Sequence, residues 1–398
     1  MRIVDVNEYY SPTGGGVRTY LDRKMGILAE LGHELIVIAP GRENSIEDRP
    51  GGGRIHWVKA PRLIFDRNYG IFIDGAPICK LLDEIQPDVV EASSPWRPAW
   101  IVGNWQGDAL KIFFAHNDNI GAYPQRWLDG IANRDQVEAM FDWYTQYMNR
   151  FLEKYDAFVT NGATLARRFR RRGMHVDASM PLGIDKGYFS PDLRDEKLRA
   201  AILAQIGLPP EGHLLLGMGR HHREKRWSVV IDAVEAAGSD LPVGMIMLGD
   251  GVDRQRLEKR IAGSPHIRMF RPIYDRFRLS QIMASCDALI HGADSEPFGL
   301  VGTEALASGL PLIVPDRGGC SDIAEVQFAE TYTAGNAQAA AEAIRRMFAR
   351  EPAILRAASR AASQRVRSDR DHAIALMDYY AEKLEERRRG GSVRLRVA

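Results

Sequence analysis

Ile3-Val-Asp-Val6, then Ser11-Pro-Thr-Gly14-Gly15-Gly16, then the helical stretch Val17–Leu31, then Glu34-Leu-Ile-Val-Ile-Ala39: the chain opens with a strand, a glycine loop, a helix and a second strand. A short apolar run that gives way to turn formers and then to a longer amphipathic stretch describes a strand feeding a helix, which returns the chain to a parallel neighbour. The alternation continues through the strand candidates Asp88–Ala92, Lys111–Ala115 and Ala157–Thr160, with helical periodicity between them, as in Ala76–Ile85. It predicts an α/β domain whose parallel sheet is covered on both faces.

The turn-rich segment Pro181-Leu-Gly-Ile-Asp-Lys-Gly-Tyr-Phe-Ser-Pro191 interrupts this pattern and reads as a connection. A second series follows it: His213–Met218, Val243–Leu248, His266–Phe270, Ala288–His291 and Leu312–Pro315. The expected architecture is two doubly wound, Rossmann-like domains, 1–190 and 191–365. A last segment, 366–398, carries a helix over Asp369–Arg388 that packs back on the first domain, then a polar tail. Two such domains facing across a cleft place ligands beside the carboxyl ends of their strands.

With 398 residues, 45% of them hydrophobic, the chain is long enough for two separate cores. The formal net charge of +1 gives no reason to expect a nucleic-acid partner. Cys79, Cys286 and Cys320 are too scattered for a disulfide framework or a zinc site, and they suit a reducing compartment. Met1-Arg-Ile-Val-Asp-Val6 has none of the regions of a secretory signal. No apolar run reaches the roughly 18–20 residues of a membrane span. The expectation is a cytoplasmic protein that at most rests on the inner face of the plasma membrane.

Four strand-end segments carry groups suited to a phosphorylated sugar. The glycines at 14–16 allow close backbone approach ahead of a helix N-terminus, which favours phosphate. The same loop is equally an ordinary tight turn, and Thr19 stands where a dinucleotide fingerprint would need its third glycine. Phe113-Phe-Ala-His116 delivers a histidine that can donate to a sugar hydroxyl or simply pack. His213-Leu-Leu-Leu-Gly-Met-Gly219-Arg220-His-His-Arg-Glu-Lys225 ends a strand in glycine and then supplies two cations, which can neutralise a diphosphate leaving group. Asp294-Ser-Glu296-Pro-Phe-Gly299-Leu-Val-Gly-Thr-Glu304 is the most specific. Glu296 in the loop can accept bonds from sugar hydroxyls, and Glu304 on the following helix can hold a ribose diol. Between them Phe298, Gly299 and Leu300 offer backbone N–H groups at a helix start. Pro315-Asp-Arg-Gly318-Gly319-Cys-Ser-Asp322 is either a further wall of that site or only a loop.

On these residues the sequence resembles glycosyltransferase family 4, retaining enzymes with the GT-B fold. Glu296–Glu304 is similar to the family's E-x7-E signature, and Gly219-Arg220 through Lys225 to its G-R-x4-K segment. Gly14–Gly16 are similar to its N-terminal glycine loop, which brings Gly15 and Gly16 to the donor, and His116 to its histidine near the donor sugar. The resemblance implies a nucleoside-diphosphate sugar donor, with UDP and GDP as the nucleotides to test. In that reading Arg220 and Lys225 bind the diphosphate, Glu296 the sugar, Glu304 the ribose, and Pro272 and Ile273 lie near the base. It implies neither a metal nor a cofactor. One departure is visible: Arg226 follows Lys225 where the family usually has glycine, which bears on the shape of the loop.

The acceptor, a lipid or glycan hydroxyl, is expected on the first domain. Trp96, Trp100, Trp105 and the aromatic stretch Phe141–Tyr155 either line an acceptor groove or fill the core. Ala166-Arg-Arg-Phe-Arg-Arg-Arg-Gly173 is either a solvated helix face or a surface for peripheral contact with an anionic membrane. A nucleotide-sugar epimerase of the same architecture and an NAD-dependent oxidoreductase are the competing functions. The first would need no acceptor, and the incomplete glycine fingerprint disfavours the second.

Overall fold

The computed structural model describes residues 1–11, 16–63, 69–122, 124, 131 and 134–390. The chain divides into two compact units, one of Met1–Leu182 with the segment from Asp369 onward, the other Gly183–Ser368. The second unit starts ahead of the 190/191 boundary read from the sequence, because Ile184 donates its N–H to the Arg367 carbonyl at 3.1 Å and forms a bridge with Ser368.

The first unit is built on an eight-stranded sheet. Its strands are β1 (Arg2–Val6), β2 (Glu34–Gly41), β3 (Ser45–Asp48), β4 (Arg54–Lys59), β5 (Val89–Ala92), β6 (Leu110–Ala115), β7 (Ala157–Thr160) and β8 (Ala178–Ser179). They lie in the order β3-β4-β2-β1-β5-β6-β7-β8, parallel except for the edge strand β3. Order therefore reverses between β1 and β5, and strand-end loops diverge there to leave a crevice.

Helix Gly16–Glu30 buries Leu21, Lys24, Met25 and Leu28, spacing that aligns one stripe toward the sheet. Lys24 is the exception in that apolar stripe. Its Nζ lies 2.6 and 2.8 Å from the carboxylate oxygens of Glu91 on β5, and the two side chains are 2% and 1% exposed. The Tyr380 hydroxyl donates to Glu91 Oε1 at 3.0 Å. The C-terminal helix Asp369–Arg388 is thus tied to the first sheet, and Arg23–Asp369 at 3.1 Å and Tyr20–His372 at 3.0 Å add further ties.

The second unit has a six-stranded, wholly parallel sheet: β9 (His213–Met218), β10 (Val243–Leu248), β11 (Ile267–Phe270), β12 (Ala288–Ile290), β13 (Leu312–Pro315) and β14 (Ala329–Tyr332). The order β11-β10-β9-β12-β13-β14 is the doubly wound 3-2-1-4-5-6 arrangement, with its reversal between β9 and β12. Side chains that alternate along each strand feed two cores. Leu214, Leu216, Leu312 and Val314 face one side, while Leu215 and Ile313 face the other, against Trp227, Val230 and Ile344. No described helix is long and apolar enough to cross a membrane.

Removing one member of a buried ion pair strands the other, at a cost of about 3–5 kcal/mol, whereas replacing both by apolar groups is often neutral. Lys24→Met should therefore lower the unfolding free energy in denaturant by that order. Lys24→Met/Glu91→Leu should recover most of the loss. A single variant as stable as the parent would show that the pair does not anchor this helix.

Candidate active site

The loop after β9 and the loop after β12 meet across the reversal in the second unit. Gly219 closes β9 at φ +150°, a conformation that favours glycine, and a short 3-10 turn over Arg223–Lys225 then delivers Lys225 inward. Its ammonium forms an ion pair with Glu296 Oε1. The other carboxylate oxygen, Oε2, lies 2.7 Å from His291 Nε2, one residue beyond β12. Burial, with Lys225 close by, pushes the imidazole of His291 down to about 3. The ring is therefore neutral, and the bond requires the tautomer that donates from Nε2.

The Glu296 loop is fixed from behind by glycines. Gly319 donates its N–H to the Glu296 carbonyl at 2.7 Å, and a Cβ there would fall 2.1 Å from the carbonyl carbon of Phe298. Gly299 sits at φ +77°, where a Cβ would lie 2.6 Å from Cys320 Sγ, and helix Leu300–Ala307 starts at the next residue. The 315–322 segment is therefore packed directly behind the loop. His291, Glu296 and Cys320 bring potential metal-ligand atoms within 4.8 Å of one another. Lys225 already places a cation on the same carboxylate, and burial pushes the Cys320 thiol up to about 11, which keeps it protonated.

Arg220 is exposed and pairs with Glu224 at 2.6 Å. Pairs of that kind contribute little, so its guanidinium is readily transferred to an incoming anion. Glu304 is half-buried on helix Leu300–Ala307, and Leu300 is exposed at its start. Pro272 and Ile273 lie in the loop after β11, two strands from β9, where Ile273 packs on the core. Arg226 takes the left-handed conformation, φ +48°, and its Nε is 2.9 Å from Asp294 Oδ1.

The remaining sequence-read positions belong to the first unit. Gly15 falls outside the described residues; Gly16 opens helix Gly16–Glu30. His116 follows β6, with its ring packed edge-on to Tyr20 at 5.2 Å and tilted on Phe114 at 4.8 Å. Burial, helped by Lys24 and His372, pushes it down to about 3, so it is neutral. Across the β1/β5 reversal Ser94 Oγ donates to Glu8 Oε2 at 3.0 Å and Ser93 Oγ to Asp5 Oδ1 at 3.1 Å. Sequence reading missed these groups, as it missed the roles of His291, Cys320 and Asp294. Their signal was position alone, within one to a few residues of a strand's end.

The arginine helix needs correction. In Ala163–Arg171 and the residue after it, Arg168 and Arg172 turn inward to Asp118. Arg172 forms a fork to its two oxygens at 2.7 and 3.0 Å, and Arg168 lies at 3.8 Å. Asp118 is buried, which draws the guanidiniums in. Arg167, Arg170 and Arg171 remain exposed. Among the tryptophans, Trp105 is core, while Trp96 is exposed at the edge of a cluster with Tyr144 and Tyr147.

Two doubly wound units, each with its own strand-order reversal, are the architecture of the GT-B glycosyltransferases. Residues 14–185 match the family described as Glycosyltransferase Family 4, and residues 199–365 the one described as Glycosyl transferases group 1. A Mycobacterium tuberculosis GDP-mannose-dependent alpha-(1-6)-phosphatidylinositol dimannoside mannosyltransferase is 29% identical over 340 residues, 81% of this chain and 84% of that one. A GDP-mannose-dependent alpha-mannosyltransferase of Mycolicibacterium smegmatis is 28% identical over 81% of this chain and 82% of its own. Among solved structures, the sucrose-phosphate synthase of Thermosynechococcus elongatus shares the fold with a TM-score of 0.73, at 18% identity, over 96% of this chain and 98% of that one. The chain belongs to glycosyltransferase family 4 and is a glycosyltransferase.

Two outcomes follow from this geometry. Lys225→Ala and Glu296→Gln should each lower the transfer rate by about 100-fold or more, the scale of losing one preorganised electrostatic contact. Their melting curves should stay near the parent's, and the double variant should cost far less than the product of the singles. Near-parent rates in both would remove these residues from the site. Separately, burial pushes Glu8 up to about 7 against hydrogen bonds from the Phe72 N–H and Ser94. A folded-state value above the ordinary carboxylate range favours the fold in acid, and that contribution is lost as pH rises from about 4.5 toward 7. Glu8→Gln should flatten the fall of melting temperature across that window; an unchanged slope would show that Glu8 titrates normally.

Proposed function

We propose that this protein transfers a hexosyl group from a nucleoside-diphosphate sugar to a hydroxyl of a glycolipid or glycan acceptor, with retention of anomeric configuration, and that GDP-mannose is its donor. The observation that carries this reading is the Lys225–Glu296–His291 constellation across the β9/β12 reversal. Lys225 and Arg220 neutralise the diphosphate as the C1–O bond breaks, and Glu304 receives the ribose diol. Glu296 accepts from sugar hydroxyls. Both its oxygens are already engaged, by Lys225 and by His291, which suits an orienting carboxylate better than a covalent nucleophile. The new C1–O bond forms to the acceptor oxygen, whose proton passes to the departing diphosphate. This accounts for transfer without a glycosidase-type pair of carboxylates.

GDP-mannose is preferred because both mycobacterial relatives are named for it. A phosphatidylinositol-based mannolipid is the first acceptor class to try, after the first of them. Peripheral contact with an anionic membrane rests on three exposed arginines, Arg167, Arg170 and Arg171, each contributing about 1 kcal/mol near such a surface.

The test is direct. The full chain is incubated with GDP-mannose, UDP-glucose, UDP-galactose or UDP-glucuronate, with and without the mannolipid, and the product's anomeric coupling is read by NMR. An α-linked mannosyl product formed only with GDP-mannose and acceptor supports the proposal. Transfer from a UDP-sugar alone would overturn the donor. An isomerised donor made without acceptor would replace transfer with epimerisation.

A further inference from the structure

At the opposite end of the second sheet lies a cavity of about 360 Å³, within the size range of small-molecule sites. His213, Asp287 and Pro311 on its wall stand at or just before the amino ends of β9, β12 and β13. The Lys225–Glu296 pair follows the carboxyl ends of β9 and β12, so the cavity is a separate place.

Its lining is strongly basic in a chain whose net charge is only +1. Arg194, Arg199, Arg350, Arg356 and Arg360 border it, against Glu211 and Asp287. Asp287 serves two guanidiniums, Arg194 at 3.1 Å and Arg199 at 2.7 Å. Glu330 likewise serves both Arg346 at 2.9 Å and Arg350 at 3.5 Å. Arg360 leans on Asp192, an exposed surface pair that is cheaply given up. Among the described residues Arg356 has no ion-pair partner. Arg194 has a further partner in Glu196 at 2.6 Å, and Glu351 stands at the head of the helix that begins at Pro352, so the positive charge left for a ligand is that of Arg356 and of the loosely held Arg360.

Two further features suit an anion. Helix Pro352–Arg365 begins on the cavity wall with no side-chain cap, and Pro352, Leu355 and Arg356 from its first turns line the space. An uncapped N-terminus of a fourteen-residue helix presents free N–H groups and partial positive charge. The floor is apolar: Phe348 stacks on His213 with ring centroids 4.1 Å apart, beside Met347 and Leu355. Guanidinium forks match phosphate oxygens two at a time, and a cluster of them matches more than one phosphate.

We propose that this cavity binds a small soluble phosphorylated anion, its phosphates held by Arg356, Arg360 and the start of helix Pro352–Arg365, and any planar or apolar part resting on Phe348. The site is distinct from the donor site and does not depend on it.

Calorimetric titration of the full chain with inorganic pyrophosphate tests this in a Lys225→Ala background, where the proposed donor site is disabled. One pyrophosphate should still bind, and adding Arg356→Glu and Arg360→Glu should weaken it at least tenfold while melting curves are retained. Both side chains are exposed; if the double reversal nevertheless unfolds the protein, Arg356→Ala alone should weaken binding severalfold. Loss of all pyrophosphate binding on Lys225→Ala, or binding indifferent to the arginine changes, would overturn the proposal. So would binding to phosphatidylglycerol vesicles that these changes abolish while pyrophosphate neither binds nor competes, since that marks a lipid headgroup instead.

Discussion

Strand order in the second unit reverses between β9 and β12, and the ion pair of Lys225 with Glu296, backed by that of Arg226 with Asp294, spans the reversal. Two loops that leave a sheet in opposite directions have no backbone bonding to hold them in register. A half-buried carboxylate held on one oxygen by an ammonium and on the other by a neutral imidazole supplies that register. As a stability device such a pair is weak, because desolvation offsets most of the attraction. As a device for placing charge in advance it is strong, because a pair already fixed need not reorganise when charge develops beside it. The glycines at 299 and 319 serve the same end, since a side chain at either would push the Glu296 loop off the segment behind it.

The first unit repeats the topology with different chemistry. Its reversal, between β1 and β5, is bridged by serine-to-carboxyl hydrogen bonds, Ser93 to Asp5 and Ser94 to Glu8, rather than by a cation. Burial pushes both carboxyls up to about 7, for Asp5 with help from the neighbouring Glu91. The lysine that balances this negative group, Lys24, comes from the helix beneath and is fastened to Glu91 and, through it, to Tyr380. One end of the chain thereby closes the polar core begun by the other.

Much of this was legible because parallel strands buried on both faces are continuous apolar runs. Ala157–Thr160, His213–Met218, Val243–Leu248 and Leu312–Pro315 were read with the bounds they have. The strands that escaped are short or lie toward sheet edges. Ser45-Ile-Glu-Asp48 and Arg54-Ile-His-Trp-Val-Lys59 are charged because one side meets water, Ala178–Ser179 is too short for any periodicity, and Ala329-Glu-Thr-Tyr332 closes the second sheet. The arginine run misled for a related reason. A helical stripe of basic residues reads as solvent-facing unless its partner is seen, and Asp118, far away in sequence, is what draws Arg168 and Arg172 inside. His291 was read as the end of a strand, and nothing in its neighbours in sequence announces Glu296 beside it.

Arg226 shows how a departure from the family pattern is accommodated. The residue after Lys225 is left-handed, and the chain beyond β12 passes close against this turn: a Cβ at Gly292 would stand 2.7 Å from the Lys225 carbonyl oxygen and 3.1 Å from that of Arg226. Glycine takes that conformation freely, whereas an L-residue takes it at about 1–2 kcal/mol. Arginine offsets this with its ion pair to Asp294 at 2.9 Å, a residue of the same loop that carries Glu296. The substitution therefore keeps the turn, keeps Lys225 pointed at Glu296, and adds a second cross-link between the two loops. What glycine would supply by lacking a side chain, this protein supplies by giving the side chain a partner across the strand reversal.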